Sequence, residues 1–327
     1  MALIRTRRDF LGGIAAASAV GLAQPSGPRA SEGVLETTTI RLQRPALCAT
    51  PLYIADELLR AEGFTEIRYV DDPPGVPPLT NADFGPFYAS QSVSAIDAGE
   101  PVILLAGVMV GCFELFAREG IGSIAELRGK SVGRQALGST NEVLLRIMAA
   151  QVGLDPAKDL HWVQSLRPTD LFIEGKIDAF LAAPPDLQEV RARNIGHVIV
   201  SSITDRPWSQ YYCCMLATST EFAGKYPVAT KRVLRAILKG ADLCASDPKR
   251  AARLLVDRGY AKRYDYALQA LSEILYDVWR DYDPEDTFRF YALRLQEAGL
   301  IKSSPNKLIA GHSDWRFLDE LKRELKA

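Results

Sequence analysis

Short apolar strands separated by amphipathic helices occur in two successive blocks, and this repetition limits the possible folds more than any other feature of the chain. The first block covers residues 36–110 and the second covers about residues 120–205. Within the first block, residues 82–85 predict a short strand and residues 86–98 predict a helix. Residues 102–108 are a continuous apolar run, which is typical of a strand buried on both faces of a sheet. Strands that alternate with helices predict parallel sheets with right-handed crossovers. The pattern therefore predicts an α/β protein with two lobes and parallel-rich sheets flanked by helices.

Two extended segments rich in aromatic residues and cysteine connect the blocks, at residues 111–118 and 211–218. The chain after them is nearly all helical, and Pro248 and Pro284 each follow an aspartate, which is the chemistry of an N-cap and the first helical position. Two crossings between the lobes make one lobe discontinuous. We therefore predict two hinge crossovers, lobe 1 over residues 36–112 and 214–327 with a helical C-terminal tail, and lobe 2 over residues 113–213.

The first 30 residues have the layout of an export signal. Arg7 and Arg8 precede an apolar, Gly/Ala-rich stretch that is too short to anchor a helix in a bilayer. The paired arginines resemble the twin-arginine signal. We predict a twin-arginine signal peptide over residues 1–30, with cleavage after Ala23 or Ala30, and a periplasmic protein. The alternative is a cationic, amphipathic start of the first domain.

Composition excludes several classes of protein. A net charge of −1, with 24% charged residues and no basic stripe, argues against a nucleic-acid partner. No run of about 20 apolar residues exists, which excludes a polytopic membrane protein. The three histidines lack metal-ligand spacing, and the chain has no P-loop, nucleophile-elbow, zinc-protease or dinucleotide motif. We therefore expect no catalytic residue, no metal and no cofactor.

The most informative segment is residues 136–142, which joins a predicted strand to a helix that begins near Ser139. Ser139, Thr140 and Asn141 place hydroxyl and amide groups beside the free N–H groups of the helix N-terminus. Such an arrangement can bind an anion or the polar head of a ligand. The alternative is an ordinary capping box, with Glu142 three residues after Ser139, and both interpretations can hold at once.

Further segments at predicted strand ends and in the crossings face the same cleft. Aromatic walls with a few polar groups are typical of a small-molecule pocket. For any single aromatic residue, core packing is the alternative. The residues of these segments that we predict to contact a ligand are Thr50, Tyr53, Phe84, Phe87, Cys112, Asp186 and Tyr211.

The chain has five cysteines, and an odd number leaves at least one thiol unpaired within the chain. Cys48, Cys112, Cys213 and Cys214 all fall in the predicted cleft or crossings. Buried apolar packing is the ordinary role of such residues, and a metal or redox site would need several thiolates that converge. A bridge between Cys112 and Cys213 would join the two crossings.

The chain resembles the periplasmic solute-binding proteins of ABC importers, in the branch for nitrate, alkanesulfonates, taurine and thiamine-pyrimidine precursors. The resemblance covers residues 36–300. It implies a type II-like two-lobed fold that closes on its ligand by hinge bending. It also implies a small-molecule ligand, an ABC permease and its ATPase as partners, a monomeric receptor, and a ligand-anchoring role for Ser139 and Thr140. The matching stretches are ADFG (82–85), DAGEPV (97–102), SIAELRGKSVG (123–133), GST (138–140) and GKIDAF (175–180).

One departure from the family pattern is the segment at residues 71–81, which is rich in proline. Members of the family place a loop and a helix there, and this segment is too short for both. The family therefore leaves two alternatives to a receptor. One is an enzyme on the same scaffold, similar to those of thiamine-pyrimidine synthesis, and the other is a degenerate relative that acts as a sensor subunit without a ligand.

Overall fold

The computed structural model describes residues 32–72 and 79–325. The described part of the chain forms ten strands in two sheets, surrounded by helices. The strands are β1 (Thr39–Gln43), β2 (Glu66–Val70), β3 (Phe84–Tyr88), β4 (Val102–Val110), β5 (Glu114–Ala117), β6 (Ser131–Arg134), β7 (His161–Gln164), β8 (Ala179–Ala182), β9 (His197–Ser201) and β10 (Tyr212–Ser219). The predicted signal peptide at residues 1–30 lies outside the described residues.

Twelve α-helices are described, and the seven that follow β10 form the C-terminal tail. The helices are α1 (Pro51–Ala61), α2 (Ala89–Asp97), α3 (Thr140–Gln151), α4 (Pro168–Ile173), α5 (Asp186–Arg193), α6 (Thr220–Lys225), α7 (Pro227–Ser246), α8 (Pro248–Asp257), α9 (Tyr264–Glu273), α10 (Pro284–Glu297), α11 (Pro305–His312) and α12 (Arg316–Leu325). Short 3-10 turns occur at Leu47–Ala49, Ile124–Leu127, Trp208–Gln210 and Asp277–Arg280. In the described ranges, no helix is both long and apolar enough to cross a membrane.

Each lobe is built on a five-stranded sheet, as predicted, and each sheet contains one antiparallel strand. The first sheet has the order β2-β1-β3-β10-β4, and the second has the order β7-β6-β8-β5-β9. Strand β10 runs antiparallel to β3 and β4, and β5 runs antiparallel to β8 and β9. Both strands enter their sheet directly from the other lobe. They therefore begin at the edge where the parallel strands end, and they must run in the opposite direction.

The chain passes between the sheets at two places, which we name the first crossing (residues 111–113) and the second crossing (residues 202–211). Strand β4 ends at Val110 and β5 begins at Glu114, while β9 ends at Ser201 and β10 begins at Tyr212. The predicted connecting segments at 111–118 and 211–218 were therefore too long. Their apolar parts are strands, because pairing with a sheet satisfies backbone groups that burial would otherwise leave without partners.

The third strand also differs from the prediction, which ended it at Gly85 and began a helix at Pro86. Strand β3 continues to Tyr88, and Pro86 lies opposite Leu216 of β10. On its other side, β3 pairs with β1 only at Phe84. Beyond Phe84 that edge has no neighbouring strand, so a residue without an N–H group is tolerated there.

The helical tail packs back on the first lobe, as predicted. Helix α7 lies along α1, where a Cβ atom at Gly240 would meet the carbonyl oxygen of Pro51 at 2.6 Å. The predicted caps are present, since the Asp247 carboxylate accepts the N–H of Arg250 (3.0 Å) and that of Asp283 accepts the N–H of Glu285. Local caps therefore start the helices of the tail, and the close approach of α7 to α1 packs the tail on the first lobe.

One ion-pair network connects the tail to the second lobe. The guanidinium of Arg191 in α5 pairs with Glu273 of α9 (2.8 Å) and with Glu114 of β5, which is 3% exposed. Burial alone would lower the pKa of Arg191, but its hydrogen bonds to the two carboxylates raise it. The residue-level limits of the two lobes stay a prediction.

Candidate functional site

A cavity of about 210 Å³ lies at the edge of the first sheet where β1 and β3 end. The carboxyl ends of parallel strands are where α/β proteins bind ligands. The cavity wall contains amide, guanidinium, aromatic and thiol groups. Its lining residues are Gln43, Arg44, Ala46, Cys48, Ala49, Pro86, Phe87, Tyr88, Gln91 and Cys214.

Local structure brings these residues to one place. Gln43 ends β1, Tyr88 ends β3, and Gln91 lies in the first turn of α2. A Cβ atom at Gly85 would lie 2.5 Å from the Gln43 side-chain oxygen, so the glycine leaves space for that amide. Two parallel strands and a helix start therefore supply the polar part of the wall.

The positive charge of the cavity comes from Arg44. Its guanidinium donates to the Asp71 carboxylate (3.1 Å) and to the carbonyl oxygen of Tyr69 (3.4 Å). The hydrogen bond to Asp71 raises the pKa of Arg44, which keeps the group protonated. Beside it, the Gln43 amide donates to the Asp72 carboxylate (3.2 Å). Both side chains are thus oriented by the two aspartates that open the 71–81 segment, of which residues 73–78 lie outside the described residues.

Thiols form the inner side of the cavity. Cys48 is fully buried, and its sulfur lies 3.4 Å from the Tyr88 hydroxyl. Burial raises the pKa of Tyr88 and of the Cys214 thiol. Hydrogen bonds from Cys112 and Cys214 lower the pKa of the Cys48 thiol, so the three groups of this wall do not titrate alike.

One lining residue of this cavity, Gln91, is bonded to the start of α3 in the second lobe. The Thr140 hydroxyl donates to the Gln91 side-chain oxygen (3.0 Å), and the Asn141 amide donates to the Leu181 carbonyl (2.5 Å). The Ser139 hydroxyl has no hydrogen-bond partner among the described residues, although its oxygen is buried. Two of the three predicted helix-start residues are therefore engaged, and the third hydroxyl is available.

The alternative capping box at this helix start is not formed. Ser139 precedes α3, but its side chain accepts no bond from the helix. The Glu142 carboxylate instead accepts the N–H of Gly138 (2.6 Å) and pairs with Arg134 (3.1 Å) and Arg146 (2.9 Å). Because Glu142 is 1% exposed, this network holds the 138–141 turn firmly from inside the lobe.

Three predicted ligand contacts lie in the core of the first lobe instead of in the cavity wall. The Thr50 hydroxyl donates to the carbonyl of Leu47 (2.6 Å). Tyr53 stacks on Tyr260 with ring centroids 3.8 Å apart, and Phe84 is fully buried. Phe87, by contrast, lines the cavity. Contact of these four residues with a ligand stays a prediction.

The remaining predicted residues lie in the crossings or the second lobe. Cys112 is in the first crossing, and Tyr211 of the second crossing stacks on Phe290 (3.9 Å). Asp186 begins α5 and accepts the Thr169 hydroxyl (2.8 Å). Burial raises the pKa of Asp186. None of these three residues lines the 210 Å³ cavity as described.

A second, much smaller cavity of about 10 Å³ lies where the crossings meet both lobes, and we name it the hinge cavity. It has room for about one water molecule. Its lining residues are Tyr88, Ser90, Gly111, Phe113, Leu144, Ser202, Trp208, Cys213 and Tyr291.

Sequence reasoning missed the polar side of the larger cavity, namely Gln43, Arg44 and Gln91. A weak signal was present, because Gln43 and Arg44 directly follow the first predicted strand. Two histidines make bonds to backbone carbonyls, His197 to Ile121 (2.9 Å) and His312 to Val102 (3.0 Å). Within the described ranges, no group of three or more His, Cys, Asp or Glu side chains is arranged to hold a metal ion.

The comparisons with known proteins agree with this architecture. The family model described as NMT1/THI5 like matches residues 72–251. No curated protein matches the chain in sequence.

Several solved structures share the fold at low sequence identity. The nitrate-binding protein NrtA from Synechocystis PCC 6803 is 15% identical, with a TM-score of 0.75 over 90% of each chain. The alkanesulfonate-binding protein SsuA from Xanthomonas axonopodis pv. citri is 16% identical, with a TM-score of 0.65 over 83% of this chain and 96% of its own. The desulfurization enzyme DSZB is 15% identical, with a TM-score of 0.60 over 88% of this chain and 99% of its own. The fold is therefore found in binding proteins and in an enzyme.

Proposed function

Because the chain belongs to the NMT1/THI5-like family, we propose that it is an extracytoplasmic solute-binding receptor that captures a small molecule between its lobes and delivers it to an ABC importer. One observation carries the proposal. The 210 Å³ cavity lies where β1 and β3 end, and Gln91 of its wall bonds Thr140 of the other lobe. The described wall belongs to the first lobe, and Thr140 is bonded to it through Gln91. A ligand that also contacted the start of α3 would hold both lobes, so its binding energy would favour the closed form.

The ligand that suits this cavity is a small anion or a small organic acid. The volume is many times what a single water molecule needs. The wall offers the Arg44 guanidinium and the amides of Gln43 and Gln91, and no carboxylate is among its described lining residues. Guanidinium and amide donors are the groups that recognise oxyanions, while Phe87 and Tyr88 offer a surface for a short apolar part. Nitrate and alkanesulfonate, the ligands named for two proteins of this fold, have that chemistry.

Closure would use the two crossings as the hinge. The first crossing has few residues and both crossings connect sheet to sheet, so a change of their backbone angles rotates one lobe against the other. The Thr140–Gln91 bond already joins the start of α3 to the cavity wall in this structure, and it would act as a latch of the closed form.

The proposed function includes a periplasmic location and an ABC importer as partner. Support for a periplasmic protein comes from the fold it shares with periplasmic binding proteins and from the twin-arginine pattern in residues 1–30. An ABC permease with its ATPase would receive the ligand from a monomeric receptor. The role is binding without catalysis, and it is supported by His197 and His312, which are occupied by carbonyl bonds.

Thermal shift and calorimetry test the function. We expect one class among nitrate, short alkanesulfonates, aromatic carboxylates and aminopyrimidines to raise the melting temperature, since ligand at 100 times Kd adds about 2.7 kcal/mol of stability. Arg44→Gln should weaken binding of an anion about tenfold or more. Arg68→Gln, on the exposed β2 strand, is the matched control and should bind normally.

Three results would contradict the proposal. Turnover of the stabilising compound would indicate the enzyme alternative. Absence of stabilisation by every class would favour the degenerate sensor. Equal losses of ligand affinity in Arg44→Gln and Arg68→Gln would show that the 210 Å³ cavity is not the binding site.

A further inference from the structure

Two buried thiols from different parts of the chain lie in direct contact beside the hinge cavity. The sulfurs of Cys112 and Cys213 are 2.7 Å apart, and the residues are 0% and 7% exposed. Cys112 belongs to the first crossing, and Cys213 is the second residue of β10, which follows the second crossing. The contact therefore connects the two places where the chain passes between lobes.

A β-bulge points Cys213 at this partner. Along the ladder between β10 and β4, Tyr212 pairs with Val110 and Cys214 pairs with Met109, so Cys213 is an extra residue without a partner on β4. A bulge of this kind changes the direction of a side chain and is typically a designed feature. Cys214 lines the 210 Å³ cavity, whereas Cys213 lines the hinge cavity.

The other thiols fit a bond less well. Cys213 and Cys214 are neighbours in sequence with Cα atoms about 3.8 Å apart, below the usual 4.4 Å or more for a disulfide. The Cys48 sulfur interacts with the Tyr88 hydroxyl and with the thiols of both Cys112 and Cys214, so it faces no single partner. Cys244 lies in α7, where burial alone raises the pKa of its thiol.

The backbone holds the two crossings together at the same point. The Ser202 hydroxyl accepts the N–H groups of Cys112 (3.1 Å) and Phe113 (2.9 Å). Gly111 has φ +74°, and a Cβ atom there would lie 2.8 Å from the Cα of Ile203. The crossings are thus packed backbone to backbone, and little movement is needed to bring the two sulfurs within bonding distance.

We propose that Cys112 and Cys213 are a redox-modification site, in which a small-molecule disulfide oxidises the two thiols to a disulfide that fastens the first crossing to β10. The Cys213 thiolate attacks one sulfur of the oxidant and releases one thiol. The Cys112 thiolate then attacks the Cys213 sulfur of the mixed disulfide and releases a second thiol. Two protein thiols lose two electrons and two protons, and the oxidant becomes two thiols.

Geometry and acidity both make Cys213 the attacking residue. Cys213 is 7% exposed, whereas Cys112 is fully buried, so Cys213 is the thiol nearer to the solvent. Burial alone would raise the pKa of the Cys213 thiol, but hydrogen bonds from Cys112 and Cys214 lower it to about 7. The lowered pKa favours the thiolate, which is the form that attacks a disulfide.

The bond would restrict the hinge. Cys112 is the middle residue of the three-residue first crossing, so fixing its side chain to β10 limits the backbone changes that bend it. The oxidised protein should open less than the reduced protein. This inference concerns the thiols alone and does not depend on the ligand proposed above.

Peptide mapping of the full chain tests the bond. The reduced protein is incubated with oxidised glutathione, alkylated with N-ethylmaleimide and digested without reductant. We expect a loss of two hydrogen atoms and a linked peptide pair that contains Cys112 and Cys213. Because Cys213 and Cys214 share one tryptic peptide, Cys214→Ala should keep the linked pair and Cys213→Ala should lose it.

Several outcomes would overturn the site. These are a link through Cys48 or Cys214, a lasting glutathione adduct, a metal ion that copurifies with the thiols, or full alkylation of Cys112 and Cys213 after oxidation. The peptide map of the oxidised wild-type protein tests the Cys112–Cys213 bond even if a variant does not fold.

Hydrogen exchange tests the effect on the hinge. In wild type, oxidation should slow amide exchange in residues 111–113 and 202–211. Cys112→Ser should show no such change, while Cys244→Ser, also a buried thiol, should respond as wild type does. Equal exchange in the oxidised and reduced wild-type protein would refute the restriction of the hinge, and an equal response in Cys112→Ser would assign it to other thiols.

Discussion

The buried carboxylate of Glu142 should be one of the most sensitive positions in the second lobe. It is 1% exposed and pairs with two arginines, at 3.1 Å to Arg134 and 2.9 Å to Arg146. In Glu142→Gln the amide oxygen can still accept the N–H of Gly138, but the charge is lost. Breaking a buried pair from one side costs about 3–5 kcal/mol. The arginine side chains are 19% and 21% exposed, and water that reaches them reduces the expected cost to about 2–3 kcal/mol.

Chemical denaturation with a matched surface control measures this cost. Glu189 also pairs with two arginines, Arg193 at 2.9 Å and Arg167 at 3.7 Å, but it is 25% exposed and its partners are more than half exposed. Exposed pairs contribute about 0–1 kcal/mol, so Glu189→Gln should have little effect on the free energy of unfolding. Glu142→Gln should also weaken ligand binding, because the carboxylate holds the turn before α3. If the two variants differ by less than about 0.5 kcal/mol in stability, the role assigned to burial is wrong.

Three further changes test the cleft, a buried acid and a helix contact. Thr140→Ala removes the bond across the cleft and should weaken ligand binding by about 0.5–1.5 kcal/mol, read by calorimetry. Burial raises the pKa of Asp186, so its contribution to stability is full at low pH and is lost as pH rises through the folded pKa. Asp186→Asn should therefore flatten the melting temperature against pH in the acid range. Gly240→Ala places a methyl group 2.6 Å from the Pro51 carbonyl and should cost about 1–3 kcal/mol, whereas Gly224→Ala, with no atom within 4 Å, should not destabilise the fold.

Each of these expectations has a contrary result. Unchanged affinity in Thr140→Ala would show that the latch carries no binding energy. If the melting temperature of Asp186→Asn depended on pH as that of the wild-type protein does, another acidic group would control this dependence. Equal stability of Gly240→Ala and Gly224→Ala would mean that the contact between α1 and α7 relaxes freely.

Much of the fold could be predicted because its signals are local. The alternation of strands and helices, the apolar strand β4 and the aspartate caps before α8 and α10 depend on neighbouring residues, and the structure has all of them. Strand β3 was misplaced because Pro86 resembles a helix start in sequence. Proline is tolerated in this strand because one side of β3 is a sheet edge beyond Phe84, and sheet edges are set by pairing between distant segments.

The candidate site was less predictable from sequence. Phe84 and Phe87 lie in the same strand and Tyr53 follows another, yet only Phe87 lines the cavity. Residues that come much later in the chain, Tyr260 and Phe222, pack on Tyr53 and Phe84. The helix start at Ser139 was found because a cap is local. Its partner Gln91 was not, since the bond joins residues 49 positions apart.

The amino-acid sequence alone determined the order of the elements, the helix caps and the two-lobed class, since these follow from periodicity and short-range hydrogen bonding. Only the tertiary structure decided that Gln43, Arg44 and Gln91 share a cavity, and that a bulge brings Cys213 to Cys112 across 101 positions. The physical reason is that sheet register and helix packing place residues that are distant in sequence side by side. Neither is set by any single segment.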